Sequence, residues 1–145
     1  MVGAEAGDAI VAGYSGTPLS KKLGIKPDST IFPIHAPKDY AALLGPLPDG
    51  VRIVTRAPKD GAPLVHLFVK SLEDLKAGLP KARAAMTIDG MIWVSWYKQA
   101  AKIPTDVTEG TIRNLALKGD LVDVKVCAVD AQWSGLKLVV RKALR

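Results

Sequence analysis

Apolar side chains near the end of the chain recur at every second position. The alternating residues are Val122, Val124, Val126 and Ala128, and then, after a short link, Leu136, Leu138 and Val140. Because successive side chains of a strand point to opposite faces, each run predicts a strand with a continuous apolar face. The link, residues 130–135, is too short for a crossover helix. The two strands are therefore predicted to pair antiparallel.

Four further strands are predicted upstream. They cover Ser29–Ala36, Val51–Arg56, Leu64–Lys70 and Met91–Trp96, where branched and aromatic residues dominate. Pro33 removes a ladder donor, which indicates an edge or a bulge. The third run, LVHLFVK, is almost continuously apolar, as is typical of a strand covered on both faces. The segment 57–63 has no helical pattern, and it forms either a hairpin or an extended return across the sheet.

Helices are predicted between these strands. The first has Thr17 as N-cap, Pro18 as first helical residue and Gly24 as its end. A short second helix covers Lys38–Leu44. Ser71 begins a third, whose apolar positions Leu72, Leu75, Leu79 and Ala82 share one face, and Gly78 and Pro80 are predicted to kink or split it. Asp106 and Glu109 form a capping box before a fourth, which Gly119 ends.

Strands and helices alternate from Leu64 to Val129, which predicts right-handed crossovers and a parallel sheet between helical layers. The predicted fold is α/β, a Rossmann-like three-layer sandwich whose mostly parallel sheet has a C-terminal antiparallel strand. This layout resembles the sheet of S-adenosylmethionine methyltransferases. Residues 1–12 are predicted to be a flexible arm, and residues 13–145 a single domain.

Composition narrows the classes of partner. The 145 residues contain one cysteine, lack a basic start and contain no apolar run of about 20 residues, so we expect a cytoplasmic protein without a disulfide or membrane span. The net charge is +6, but lysines and arginines are spread singly or in pairs along the chain. We therefore expect a solvated basic surface, and nucleic acid is an unlikely partner.

Ligands of such sheets bind beyond the carboxyl ends of the parallel strands. His35 and Asp130 follow two predicted strands and are weak candidates for an acid–base pair. Ligand-binding candidates at strand ends are Trp96, Lys98, Trp133 and Ser134. The two tryptophans either cap the core or line a pocket.

A second group of candidates precedes the first predicted helix. It comprises Tyr14, Ser15, Gly16, Thr17 and Lys21. A loop of small residues before a helix N-terminus can hold an anion through its N–H groups. Ordinary capping alone explains the same residue types and is the favoured interpretation.

The absence of motifs bears on function. No glycine-rich turn follows the first strand, and Walker, CxxC, HExxH and GxSxG motifs are missing. His66 lies among apolar residues and is expected in the core, as is Trp93, while Cys127 is expected to be an inert thiol. Two histidines and one cysteine predict no metal site.

The leading prediction is therefore a non-catalytic module that binds a small molecule or a protein and has no cofactor. The alternative is an enzyme with an adenosine-type cofactor in a shortened methyltransferase-like site. A third hypothesis is nucleic-acid binding through the basic surface.

Three strings, GYSGTPLSKKLGIKPDS at 13–29, IWVSW at 92–96 and VDVKVCAVDAQWSGLKLVVRK at 122–142, resemble an uncharacterised family of small bacterial proteins, a domain of unknown function. Tyr97 stands where that family has proline. The resemblance implies a bacterial cytoplasmic protein and brings no established activity.

Overall fold

The computed structural model describes residues 17–145, and the predicted N-terminal arm lies outside them. The strands are β1 (Thr30–Ile34), β2 (Arg52–Ile53), β3 (Ala62–Phe68), β4 (Met86–Tyr97), β5 (Leu121–Ala128) and β6 (Trp133–Val140). The α-helices are α1 (Leu19–Lys22), α2 (Tyr40–Leu44), α3 (Leu72–Ala85) and α4 (Glu109–Lys118), and single 3-10 turns cover Gln99–Ala101 and Lys142–Leu144.

The six strands form one sheet in the order β2-β1-β3-β4-β6-β5. The four strands β2, β1, β3 and β4 are parallel, and β6 runs antiparallel between β4 and β5. The predicted α/β sandwich with a C-terminal antiparallel strand is confirmed. Because β2 and β3 both pair parallel with β1, residues 57–63 form the extended return and not a hairpin.

Two apolar layers cover the sheet. Residues of α3 and α4 pack on one face, where Leu75 and Ile112 are fully buried. The short helices α1 and α2 pack on the other face through Leu23 and Leu44, over the fully buried Trp93. Trp93 Nε1 donates to the carbonyl of Leu23 at 3.0 Å, so the one polar atom of this side chain is satisfied. The predicted packing role of Trp93 is confirmed.

Helix α3 is continuous through Gly78 and Pro80, so the prediction that these residues split the helix is wrong. Gly78 faces the sheet, where an added Cβ would lie 2.8 Å from Leu67 Cδ1. Glycine thus allows the helix to approach β3 closely. Burial of Leu75, Leu79 and Ala82 on the same face stabilises the helix against the loss of one backbone hydrogen bond at Pro80.

A bulge divides the apolar alternation of β5. Asp123 pairs with Leu138 and Lys125 pairs with Lys137, so two residues of β5 span one step of β6. Residues after the bulge therefore face the side opposite to that predicted from Val122. Val124 and Val126 are 52% and 47% exposed, so the predicted single apolar face is wrong.

Local details also differ at two helix starts. Pro18, not Thr17, is the N-cap of α1, and no side chain caps it. Thr108 caps α4 in a reciprocal pair with Thr111, whereas the predicted partner Asp106 accepts a bond from the N–H of Leu72 at 2.7 Å. Ser71 caps α3 as predicted.

Pro33 is tolerated in β1 because β2 ends before reaching it. On the side of β2, its missing N–H therefore costs no hydrogen bond of the sheet.

Candidate functional site

The carboxyl ends of the parallel strands and the beginning of β6 meet at one edge of the sheet, which we call the crest. Tyr97 pairs with Trp133, and Trp96 pairs with Ser134. The N–H of Lys98 donates to the carbonyl of Gln132 at 2.9 Å, which continues the pairing beyond β4. The ladder therefore brings together four candidates that the sequence separates: Trp96, Lys98, Trp133 and Ser134.

A cavity of about 620 Å³ opens at the crest, between β4 and the N-terminus of α4; we call it the crest cavity. Its lining includes Trp96, Tyr97, Lys98, Lys102, Glu109 and Ser134. The volume lies within the range of small-molecule sites, about 300–1,000 Å³. Aromatic carbon, two ammonium groups, a carboxylate and a hydroxyl thus surround one concave space.

The two tryptophans at the crest have different surroundings. Trp133 is 6% exposed, stacks on Tyr97 with ring centroids 4.4 Å apart and meets Phe68 edge-on at 5.1 Å. It therefore caps the core beside α1 and α2. Trp96 is 7% exposed and packs in the opposite layer, but it also lines the crest cavity. Of the two tryptophans, Trp96 is the one placed to meet a ligand in the crest cavity.

Ion pairs fix the carboxylate of the crest cavity. Arg113 contacts Glu109 one turn before it on α4, and its Nε donates to Asp123 Oδ2 at 2.9 Å. Hydrogen bonds to Asp123 and then Glu109 raise the pKa of Arg113, and the same contact lowers the pKa of Asp123. Arg113 thus holds the carboxylate of Glu109 and links α4 to β5.

Thr105 orders the loop that closes the cavity. Its hydroxyl donates to the carbonyl of Lys70 at 2.8 Å and accepts from the N–H of Val107 at 3.2 Å. The loop after β4 is therefore attached to the end of β3. These bonds hold the cavity wall in place without a helix or strand.

The proposed acid–base pair of His35 and Asp130 does not form. They follow β1 and β5, which are four strand spacings apart in the sheet, or roughly 19 Å. Asp130 Oδ1 accepts from the N–H groups of Gln132 and Trp133, both at 2.8 Å, and so closes the turn into β6. His35 is exposed with a left-handed φ of 57°. Asp130 is therefore a turn residue, and the prediction that it pairs with His35 is wrong because the two residues lie far apart in the sheet.

The second group of candidates does not join the crest. Tyr14, Ser15 and Gly16 lie outside the described residues. Thr17 precedes the four-residue α1, and the exposed Lys21 lines a separate cavity of about 330 Å³ with Pro46. Anion binding by these residues therefore stays a prediction without support from the described part of the chain.

A buried polar network that was not predicted from the sequence links β3, β4 and α2. His66 is fully buried; its Nδ1 lies 2.9 Å from Tyr40 Oη and its Nε2 lies 2.7 Å from Ser95 Oγ. Burial lowers the pKa of His66 to about 3 and raises the pKa of Tyr40. The core position predicted for His66 is confirmed. The sequence signal for this network is one polar residue in each of two apolar strands, His66 in β3 and Ser95 in β4.

Cys127 is half-buried, and burial is the largest influence on its pKa, which is raised. Lys22 and Lys125 oppose this shift.

Within residues 17–145, no three histidine, cysteine, aspartate or glutamate side chains cluster in a way that could hold a metal ion. In the same range, no helix is long and apolar enough to cross a membrane.

A solved structure shares this fold, and a second is more distantly similar. The ribosomal protein L11 methylase from Lactobacillus delbrueckii subsp. bulgaricus matches with a TM-score of 0.55 and 10% identity, over 83% of this chain and 74% of the methylase. LepI in complex with SAM matches with a TM-score of 0.46 and 15% identity, over 85% of this chain and 39% of LepI. No protein-family model matches the sequence, and no curated protein matches it. Membership of the uncharacterised bacterial family stays a prediction.

The match to the methylase corrects two predictions. A non-catalytic binding module was the leading hypothesis, and no cofactor was expected. The chain shares its fold with a methylase, and this likeness supports the alternative, an enzyme with an adenosine-type cofactor, better than it supports the leading hypothesis.

Proposed function

We propose that this protein is an enzyme of the methyltransferase type, with an adenosine-type cofactor, S-adenosylmethionine, in the crest cavity. The observation that carries the proposal is the cavity itself, which lies at the carboxyl end of β4 in a methylase-like sheet. Ligands of α/β sheets bind at this edge. When bound, the cofactor supplies an activated methyl group.

The side chains of the crest cavity suit the chemistry of this cofactor. Tyr97 and Trp96 offer aromatic surface to an adenine ring or a sulfonium cation. Lys98 and Lys102 carry positive charge for the carboxylate of the amino-acid end, and Glu109 carries negative charge for its ammonium group. Ser134 adds a hydroxyl at the wall formed by β6.

The turn after β1 lacks the glycines of a cofactor-binding turn. His35, Ala36 and Pro37 stand where glycines would allow a close backbone approach to a ligand. His35 takes the left-handed conformation that a glycine adopts without strain. We therefore assign the cofactor to the end of β4 and not to the turn after β1.

Isothermal titration calorimetry with S-adenosylmethionine and S-adenosylhomocysteine tests the proposal. Wild-type protein should bind with one site per chain. Lys98→Ala and Glu109→Gln should each weaken binding about tenfold, or about 1.4 kcal/mol. Lys76→Ala is the matched control, because Lys76 is an exposed lysine of α3 that does not line the crest cavity.

Three results would contradict the proposal. These are no binding of either compound, equal affinity in all variants, or a loss as large in Lys76→Ala as in Lys98→Ala. Circular dichroism of each variant separates a local loss of binding from a loss of folding.

A further inference from the structure

The face of β5 and β6 beside α1 carries a cluster of lysines that the sequence keeps far apart. Lys125 and Lys137 are direct cross-strand partners, and Lys26 follows α1. Lys22 borders them and donates to the carbonyl of Ala128 at 3.2 Å. We call Lys22, Lys26, Lys125 and Lys137 the lysine face.

Like charges directly opposite each other in a sheet are destabilising. Partial burial, then the charge of Lys125 and then that of Lys26, lower the pKa of Lys137. Within residues 17–145, none of the ion pairs includes Lys26, Lys125 or Lys137. The acidic Asp123 of β5 faces the opposite side, where Arg113 binds it.

The lysine face is also open to a large partner. The helices on this side, α1 and α2, have four and five residues and pack over Trp93, Leu64 and Ile31. Lys26 and Lys125 are exposed, and Lys137 is half-buried. The folded chain therefore holds positive charges together at an accessible surface, where an external anion would relieve their repulsion.

We propose that the lysine face binds the phosphodiester backbone of a nucleic acid. Lys125 and Lys137 lie side by side on two adjacent strands, and Lys22 and Lys26 add positive charge from α1 and the segment after it, so that several ammonium groups can meet the phosphates of one backbone. Lysine recognises phosphate as a point charge, without the fixed geometry of arginine. Contacts of this kind carry no base specificity. This proposal does not depend on cofactor binding.

The expectation that nucleic acid is an unlikely partner was based on charge spread along the sequence. Folding removes that reason, because it places residues from α1, β5 and β6 side by side. The net charge of +6 adds a favourable long-range field for an anionic partner.

Fluorescence anisotropy of the full chain with labelled 12-nucleotide RNA and DNA tests this proposal, over a salt series and without cofactor. The double variant Lys125→Gln/Lys137→Gln removes two charges of the lysine face. Lys76→Gln/Lys118→Gln is the matched control, since both lysines are exposed and lie on α3 and α4, which cover the opposite face.

Wild-type protein should bind, and log K should fall with log salt. The lysine-face variant should lose at least tenfold in affinity, and the salt slope should become shallower by about 1.4, since each phosphate contact to a single strand contributes about 0.7. The control should bind within twofold of wild type. RNA and DNA should bind alike, because backbone contacts dominate.

The proposal is overturned if neither nucleic acid binds at 50 mM salt. Equal losses in the two double variants would also overturn it, since they would show an effect of net charge alone. A third contrary result is tighter binding of a poly-glutamate peptide of equal charge, which would point to an acidic protein partner.

Discussion

Ser95 Oγ lies 2.7 Å from Nε2 of the fully buried His66, in the middle of the sheet. Tyr40 completes the network at Nδ1. A buried polar group is costly unless it is hydrogen-bonded, so the three side chains stabilise the core only together. We expect Ser95→Ala to lower the free energy of unfolding by about 1–3 kcal/mol, because it leaves one ring nitrogen of His66 without a partner.

Urea denaturation of Ser95→Ala and of Ser134→Ala measures this difference. Ser134 is the matched control, because it lies at the crest and not in the buried network. An equal, small loss in both variants would show that the His66 contact contributes nothing to stability.

The same histidine predicts a pH dependence of stability. Burial lowers the pKa of His66 to about 3 in the folded protein, against about 6.5 when exposed. The unfolded chain therefore binds more protons between these values, and stability is lost as pH falls below about 6.5. The loss should be about 1.4 kcal/mol per pH unit, or about 2 kcal/mol at pH 5.

Denaturation midpoints between pH 7 and pH 5 measure this slope, and His66→Gln should flatten it. The carboxylates with lowered pKa, Asp120 and Asp123, are bound by arginines and titrate mainly below this window. A wild-type stability that stays constant from pH 7 to pH 5 would contradict the buried neutral state of His66.

Gly78 should be intolerant of a side chain. An added Cβ would lie 2.8 Å from Leu67 Cδ1, so in Gly78→Ala either the fully buried Leu67 side chain must shift or α3 must move away from β3. We expect a loss of about 1–3 kcal/mol despite the better helix propensity of alanine. Gly110→Ala is the control, because the nearest atom to its added Cβ would be Thr108 Oγ1 at 3.7 Å. Gly110→Ala should be neutral or stabilising, and calorimetric Tm values that fall equally in both variants would refute the close approach of α3.

Asp130 should act in folding and not in chemistry. Asp130→Ala removes the acceptor for two N–H groups of the turn into β6, with an expected loss of about 1–2 kcal/mol. Asp130→Asn keeps a carbonyl oxygen that can accept both bonds and should be nearly as stable as wild type. Both should bind S-adenosylhomocysteine with unchanged affinity. If Asp130→Asn folded normally but lost that affinity, Asp130 would belong to the binding site.

Period-two alternation, runs of branched and aromatic residues, and capping residues predicted most elements of the fold, since these signals are local. They placed the β5–β6 pair and the second half of β4, which begins at Met86 and not at the predicted Met91, and they located α3 from Ser71. The bulge after Asp123 was beyond local signals, because it depends on the partner strand. The continuity of α3 through Pro80 was also missed, because packing on Leu67 and its neighbours outweighs the local penalty.

Local sequence signals likewise predicted only part of the candidate site. Trp96, Lys98 and Ser134 were predicted as strand-end residues, and strand pairing brings them together. Lys102 and Glu109 were missed because Lys102 lies in a loop and Glu109 at a helix start. The positions of both depend on tertiary contacts such as that of Thr105 with Lys70. The lysine face was missed for a similar reason, since sheet order and not sequence spacing determines which charges meet.

Placement of the cofactor in the crest cavity is the central claim, and amide chemical shifts measure it most directly. Uniformly ¹⁵N-labelled protein would be titrated with S-adenosylhomocysteine and followed residue by residue. We expect the largest shifts in residues 96–109 and 132–134, which form and border the crest cavity. Shifts confined to residues 35–40 and 53–56, at the ends of β1 and β2, or no shifts at saturating ligand, would contradict the claim.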